Sequence, residues 1–102
     1  MEDKGIIDQY IALAKQGTKE AIDQLMTGLN VDMTLAESKF IDYALGYVEN
    51  EKGIEIMADY LFNGTQIQRN YCALYFGRMG EYPILRKAYE KGLIDGRQAF
   101  SR

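Results

Sequence analysis

The chain has 102 residues, 47% of them hydrophobic, and carries a formal net charge of −3. This length and composition predict one globular domain, residues 1–102, with a core of its own. The sequence has no histidine, which excludes histidine-zinc sites and the histidine-dependent serine and cysteine nucleophiles. The acidic N-terminus lacks the apolar run of a secretory signal, and no apolar stretch approaches the roughly 20 residues of a membrane-spanning helix. We therefore expect a cytoplasmic protein with no membrane contact.

Apolar residues recur at three- and four-residue spacing along the chain, which predicts an all-α fold. The predicted helices are, in chain order, 6–16, 18–29, 34–50, 53–63, 65–79 and 83–92. Glycines lie where these helices should end, and the single proline, Pro83, lies where the last one should begin. No segment alternates for long enough to predict a strand.

Two helix starts carry the capping-box pattern, in which a threonine hydroxyl and a later Glu or Gln side chain satisfy free backbone amides. Thr34 with Glu37, and Thr65 with Gln68, have the required spacing. The Asn-Gly pair at 63–64 stands directly before the second box. It predicts a left-handed stop for the preceding helix.

The helical segments repeat with a period close to 31 residues. A shift of 32 superposes Ile22, Leu25 and Leu29 on Ile54, Met57 and Leu61, and a shift of 31 superposes Phe40 on Tyr71. The period predicts helical hairpins at about 5–30, 34–63 and 65–92, with residues 93–102 as a cap. The predicted core includes Phe40, Leu45, Val48, Ile54, Met57, Leu61 and Tyr71.

The third hairpin resembles a known repeat. Arg69, Cys72, Ala73 and the Gly-Arg-Met-Gly-Glu segment at 77–81 are similar to the first-helix signature of HEAT repeats of the phycobilisome-lyase type. Residues 44–48 are a looser copy. The resemblance implies a right-handed stack of about three hairpins, a HEAT/armadillo-like α-α superhelix whose second helices line the concave face. Such repeats in general act as protein-binding scaffolds, and a few related superhelices bind nucleic acid.

Acidic residues form the main candidate site. Glu51, Glu55 and Asp59 follow at four-residue spacing and so form an acidic line on the second helix of the middle hairpin. The period places Asp23 and Arg86 at the position of Glu55 in the neighbouring hairpins. This predicts an inner groove that is acidic over two hairpins and basic at the third, although a merely solvated face explains the same pattern. The predicted partner-binding residues are Asp23, Glu51, Glu55, Asp59, Tyr82, Arg86, Lys87 and Tyr89.

Other reactive or aromatic residues are assigned to structure. Tyr82 and Tyr89 flank the basic helix and are predicted to be exposed, whereas Tyr43, Tyr47, Tyr60, Tyr71 and Tyr75 are predicted to lie in the core with hydroxyls at the rim. Arg69 is interpreted as a structural arginine that bonds to neighbouring turns. Cys72, in an apolar helix, is interpreted as a buried and inert thiol.

The predicted function is therefore a protein-protein interaction module that binds a protein partner with a basic surface through the concave face. The alternative is an acidic inhibitor or immunity-type protein that neutralises a basic enzyme or toxin. The negative net charge argues against a nucleic-acid partner. A third possibility is an enzyme that uses the Asp23 and Glu55 carboxylates, but their spacing matches no catalytic pattern. We therefore expect no catalytic residue, no cofactor and no metal.

Overall fold

The computed structural model describes the backbone of residues 2–100 and the side chains of residues 5–99. Over that range the chain is helical and contains no strand, which confirms the all-α class. The helices are α1 (Glu2–Gln16), α2 (Lys19–Thr27), α3 (Leu35–Leu45), α4 (Glu51–Asn63), α5 (Gln66–Arg78), α6 (Tyr82–Glu90) and α7 (Gly96–Phe100).

Both predicted capping boxes are confirmed. The Thr34 hydroxyl accepts from the Glu37 amide at 3.0 Å, and the Glu37 carboxylate accepts from the Thr34 amide at 2.8 Å. Thr65 and Gln68 exchange the same two bonds at 3.2 and 2.9 Å. Each box satisfies amides that the first helical turn leaves without a partner, so α3 and α5 have sharply defined starts.

The start of α7 was not predicted. Residues 93–102 were read as a cap without a helix, yet the Asp95 carboxylate accepts from the Gln98 amide and the Gln98 side chain accepts from the Asp95 amide, both at 2.9 Å. This reciprocal pair has the geometry of the two Thr boxes with Asp in the place of Thr. The apolar residues of this cap also predict that Phe100 packs back on the third hairpin, and the side chain of Phe100 lies outside the described residues.

The end of α3 was predicted wrongly. The helix ends at Leu45, five residues before the predicted end at position 50, and Gly46 caps it. The amides of Gly46, Tyr47 and Val48 each donate to the carbonyl three residues earlier, at 3.2, 2.9 and 3.0 Å. This tighter turn satisfies the last carbonyls of the helix, while apolar residues at 47 and 48 keep a helix-like spacing in the sequence.

Gly64 does not supply the predicted left-handed stop. The glycines with positive φ are Gly17, Gly80 and Gly92. After Gly80 and Gly92 the next backbone amide donates to a carbonyl five residues back, at 2.9 and 3.0 Å, which is the Schellman arrangement that ends α5 and α6. At Gly64 a Cβ would lie 2.7 Å from the Tyr60 carbonyl oxygen, so this position needs a glycine for space.

The packing divides the chain into two units, Met1–Met57 and Ala58–Arg102. In the first unit α1 packs against both α2 and α3. In the second unit α5 packs against α6 and α7, and α6 also packs against α7. The largest buried side chains of the first unit are Ile22, Leu25, Met26, Leu29, Ile41, Leu45, Val48 and Met57, and those of the second are Leu61, Tyr75, Phe76 and Leu85.

Most predicted core positions are buried, with three exceptions. Leu45, Val48, Met57 and Leu61 are at most 1% exposed. Ile54 is only half-buried, because its neighbour Gly53 is the residue that faces Val48. A Cβ at position 53 would lie 2.6 Å from Val48 Cγ1. Ile56 is buried instead. The other two exceptions, Phe40 and Tyr71, are half-buried.

Candidate functional site

The predicted acidic line lies on one helix. Glu51, Glu55 and Asp59 are all exposed on α4, and their spacing extends over about 12 Å along the helix axis. Glu51 and Glu55 form no hydrogen bond or ion pair through their side chains with any described residue. Asp59 accepts a hydrogen bond from the Asn63 side chain at 2.9 Å. The line thus carries carboxylates that the described residues leave uncompensated.

Asp23 differs from the α4 carboxylates. It is half-buried on α2, and its Oδ2 atom accepts from the Lys19 ammonium at 2.8 Å. An exposed pair of this kind, four residues apart on a helix, contributes only a few tenths of a kcal/mol to stability. Lys19 nevertheless neutralises the Asp23 carboxylate locally, so Asp23 adds little negative potential of its own.

The basic candidates lie together on α6. Arg86 and Lys87 are exposed and form no ion pair with a described residue. Tyr82 and Tyr89 are 40% and 42% exposed, which confirms the predicted exposure of both. Residues 82, 86 and 89 lie on one side of the helix, beside the side that carries the buried Leu85 and Ala88. Tyr and Arg are the residue types that protein interfaces favour.

The candidates are thus grouped within helices. Glu51 and Glu55 belong to the first unit with Asp23, whereas Asp59 and the α6 residues belong to the second. A groove that combines Asp23, Glu55 and Arg86 stays a prediction.

Arg69 has the structural role that the sequence predicted. Its guanidinium donates to the Leu93 carbonyl at 2.9 Å, the Gly64 carbonyl at 2.8 Å and the Gln66 side-chain oxygen at 2.7 Å. Arg69 therefore ties the turn before α5 to the turn after α6. All three nitrogens of its guanidinium donate within the chain.

Cys72 is buried, as the sequence predicted. Burial raises the pKa of its thiol to about 12, so the nucleophilic thiolate is rare near neutral pH. Among the side chains of residues 5–99 no three His, Cys, Asp or Glu residues are placed to hold a metal ion. Between residues 2 and 100 no helix has the length and apolar character to cross a membrane.

The outer face of α3 carries a feature that the sequence analysis missed. Tyr43 is 60% exposed, although it was predicted to lie in the core. Its hydroxyl lies 3.2 Å from that of Tyr47, and the two rings meet edge to face with centroids 5.7 Å apart. The Lys15 ammonium lies 5.3 Å from the Tyr47 ring centroid. The hydrogen bond to Tyr43, with smaller effects from its charge, from burial and from Glu49, raises the pKa of Tyr47.

The signal for this face was present in the sequence. On α3 the buried positions are Ser38, Ile41, Ala44 and Leu45. Position 43 lies off that series, so the spacing alone would have placed it on the outer side. Of the other tyrosines predicted for the core, Tyr75 is buried, and Tyr47, Tyr60 and Tyr71 are half-buried.

A cleft of about 310 Å³ opens in the second unit between the start of α5 and the start of α7. Gln66, Asn70, Asp95 and Gln98 line it together with residues 92–94. The side-chain amide of Gln66 already has hydrogen-bond partners, because its Nε2 atom donates to the Asn70 side chain at 2.8 Å and to the Leu93 carbonyl at 3.3 Å. The cleft is therefore lined by groups that fix the two turns.

The chain was compared with known protein families, curated proteins and solved structures, and no match was found in any of the three. No activity is carried over from a relative. The exposed side chains of α3, α4 and α6 are therefore the basis for assigning a function.

Proposed function

We propose that the chain is a HEAT-like helical-repeat module that binds a protein partner with a basic surface, and that the acidic line of α4 is its contact. The observation that carries the proposal is the state of Glu51 and Glu55, which are exposed and have no cation beside them among the described residues.

Helix starts and helix contacts support the repeat. Reciprocal caps begin at Thr34, Thr65 and Asp95, at intervals of 31 and 30 residues. Under the proposed repeat α1, α3 and α5 are the first helices of the three hairpins, and α7 of the cap takes the next such position. Within the first unit α1 packs against α3, and within the second α5 packs against α7, as neighbouring first helices of a HEAT-like stack would.

Charge supports a basic partner. Residues 1–57 contain five lysines and eleven acidic residues. Glu51 is favoured in the first turn of α4 by the helix dipole, but Glu55 lies in the helix interior, where like charges at four-residue spacing cost a few tenths of a kcal/mol. A basic partner surface would remove that cost and speed association.

The test is capture of the partner with two charge-reversed variants. Glu55→Lys with Asp59→Lys reverses two of the three charges of the acidic line, and Asp8→Lys with Glu20→Lys makes the same change in charge at exposed positions of α1 and α2. We expect the first variant to lose a partner that the parent and the control retain. The association rate of that partner should fall with added salt for the parent and respond less for the α4 variant. Equal capture and an equal salt response in all three proteins would refute the proposal.

The same acidic surface suits an inhibitor or immunity-type protein that covers a basic enzyme. The excess of acidic residues in the first unit favours this alternative. The activity of the captured partner distinguishes the inhibitor from the interaction module. A basic enzyme whose activity is lost on binding supports the inhibitor, and a partner that stays active or has no activity supports the interaction module.

A further inference from the structure

The outer side of α3 exposes a line of residues at four-residue spacing, Leu35, Lys39 and Tyr43, which we name the α3 stripe. Leu35 is 72% exposed and Tyr43 is 60% exposed, and Lys39 between them is also exposed. Val31, just before the helix, is 86% exposed. Several large apolar side chains exposed along one helix face favour an interaction site over the scattered exposure that is normal for a protein surface.

The aromatic end of the α3 stripe is held in place before any partner binds. Tyr43 is fixed against Tyr47 by the contact of their hydroxyls at 3.2 Å and by the edge-to-face packing of their rings. Tyr47 in turn lies beneath the Lys15 ammonium. Side chains that are ordered in advance lose less entropy on binding, which favours their use as anchors.

Charge indicates what the α3 stripe binds. The first unit is strongly acidic, yet Lys39 lies at the centre of the stripe and Lys15 at its aromatic end. Neither ammonium forms an ion pair with a described carboxylate. A second copy that paired its own stripe symmetrically would bring Lys39 against Lys39, and like charges in an interface oppose association. An acidic residue of a different protein suits this position.

We propose that the α3 stripe is a docking site for an amphipathic helix of a partner protein whose exposed line is apolar, acidic and apolar at four-residue spacing. Such a helix spans about 12 Å between its two apolar residues, which equals the distance from Leu35 to Tyr43 along α3. Its apolar residues contact Leu35 and Tyr43, and its carboxylate meets Lys39. The surface differs from the acidic line of α4, and its use does not depend on the function proposed for that line.

The test uses two synthetic helical peptides that differ at one position. One presents Leu-Glu-Leu at four-residue spacing and the other presents Leu-Lys-Leu, and each carries one tryptophan, which the chain itself lacks. Tryptophan fluorescence then reports binding without interference. We expect the Glu peptide to bind more tightly than the Lys peptide. Lys39→Glu should invert this preference, because the acidic peptide then meets a like charge.

Truncation variants locate the contact. Leu35→Ala and Tyr43→Ala should each weaken binding of the Glu peptide by at least about fivefold. Leu74→Ala is the matched control, since Leu74 is 49% exposed on α5 in the second unit, and it should change the affinity little. Circular dichroism checks that each variant folds, which is expected because the replaced side chains are exposed.

Three results would overturn the proposal. Equal affinity for the two peptides would show contact without charge selection. An unchanged preference in Lys39→Glu would place the selection elsewhere. A dimer of the chain alone in analytical ultracentrifugation, lost in Leu35→Ala, would assign the α3 stripe to a second copy. The Glu55→Lys, Asp59→Lys variant should bind the Glu peptide as the parent does, so the two proposed surfaces are tested separately.

Discussion

We expect Arg69 to contribute more to the stability of the second unit than any other polar side chain there. It is half-buried, and its guanidinium donates to the Leu93 carbonyl, the Gly64 carbonyl and the Gln66 side chain at 2.7 to 2.9 Å. Gly64 belongs to the turn before α5, Leu93 to the turn after α6, and Gln66 to the first turn of α5. Arg69→Met keeps most of the aliphatic stem and removes all of the donors, so it isolates the hydrogen bonds from the packing.

The expected loss follows from the number and kind of these bonds. A hydrogen bond from a charged donor contributes about 1.5–3 kcal/mol when it is buried. The guanidinium here is only partly buried, water can reach the freed carbonyls, and bonds from one group do not add fully. We therefore expect Arg69→Met to lower the free energy of unfolding by about 2–4 kcal/mol. Arg69→Lys should lose nearly as much, because an ammonium lacks the planar fork that reaches two carbonyls at once.

The assay is urea unfolding followed by circular dichroism. With a slope of about 1.5 kcal/mol per molar urea, a loss of about 3 kcal/mol lowers the midpoint by about 2 M. Arg86→Met is the matched control, because Arg86 is exposed and has no partner among the described residues. It should change stability by less than about 0.5 kcal/mol. Equal midpoints for Arg69→Met and Arg86→Met would refute the structural role of Arg69.

The remaining predictions concern core packing, the buried thiol and two glycines. Leu61→Ala should cost about 2–5 kcal/mol of unfolding free energy in urea titrations, because Leu61 is fully buried. Cys72 should resist iodoacetamide at pH 8 until urea unfolds the chain, since its pKa is about 12 when folded. The unfolded thiol ionises at lower pH, so stability from this group should fall as the pH rises from about 9 towards 12. Gly17→Ala should destabilise, because φ is +62° and a Cβ would strike Asn50, whereas Gly5→Ala, with open space around it, should stabilise α1 by up to about 1 kcal/mol in thermal unfolding.

The sequence predicted those features that depend on a few neighbouring residues. The boxes at Thr34 and Thr65 need only a hydroxyl and a side chain three residues later, and both occur as predicted. Leu45 and Leu61 are buried because each lies in a series of apolar residues at helical spacing. The role of Arg69 was predicted from its place in a first-helix pattern, although its acceptors at 64 and 93 could not be named.

Features that depend on competing local contacts were predicted less well. The turn after Leu45 is held by hydrogen bonds between residues three apart. Tyr47 and Val48 are apolar and continue the helical spacing, so the sequence does not indicate this turn. Asp95 was read as part of a tail, because an aspartate can cap a helix or remain solvated with equal ease. Tyr43 was assigned to the core on its residue type, whereas its position on α3, off the series of buried residues, leaves it 60% exposed.

The candidate acidic residues show what a structure adds to a charge pattern. By spacing alone Asp23, Glu51, Glu55 and Asp59 are equivalent carboxylates. Asp23 is compensated by Lys19, and Asp59 accepts a bond from Asn63. Glu51 stands in the first turn of α4, where the helix dipole already favours a negative charge. Only Glu55 combines exposure, an interior helical position and no partner among the described residues, so a basic partner gains most from contact with Glu55.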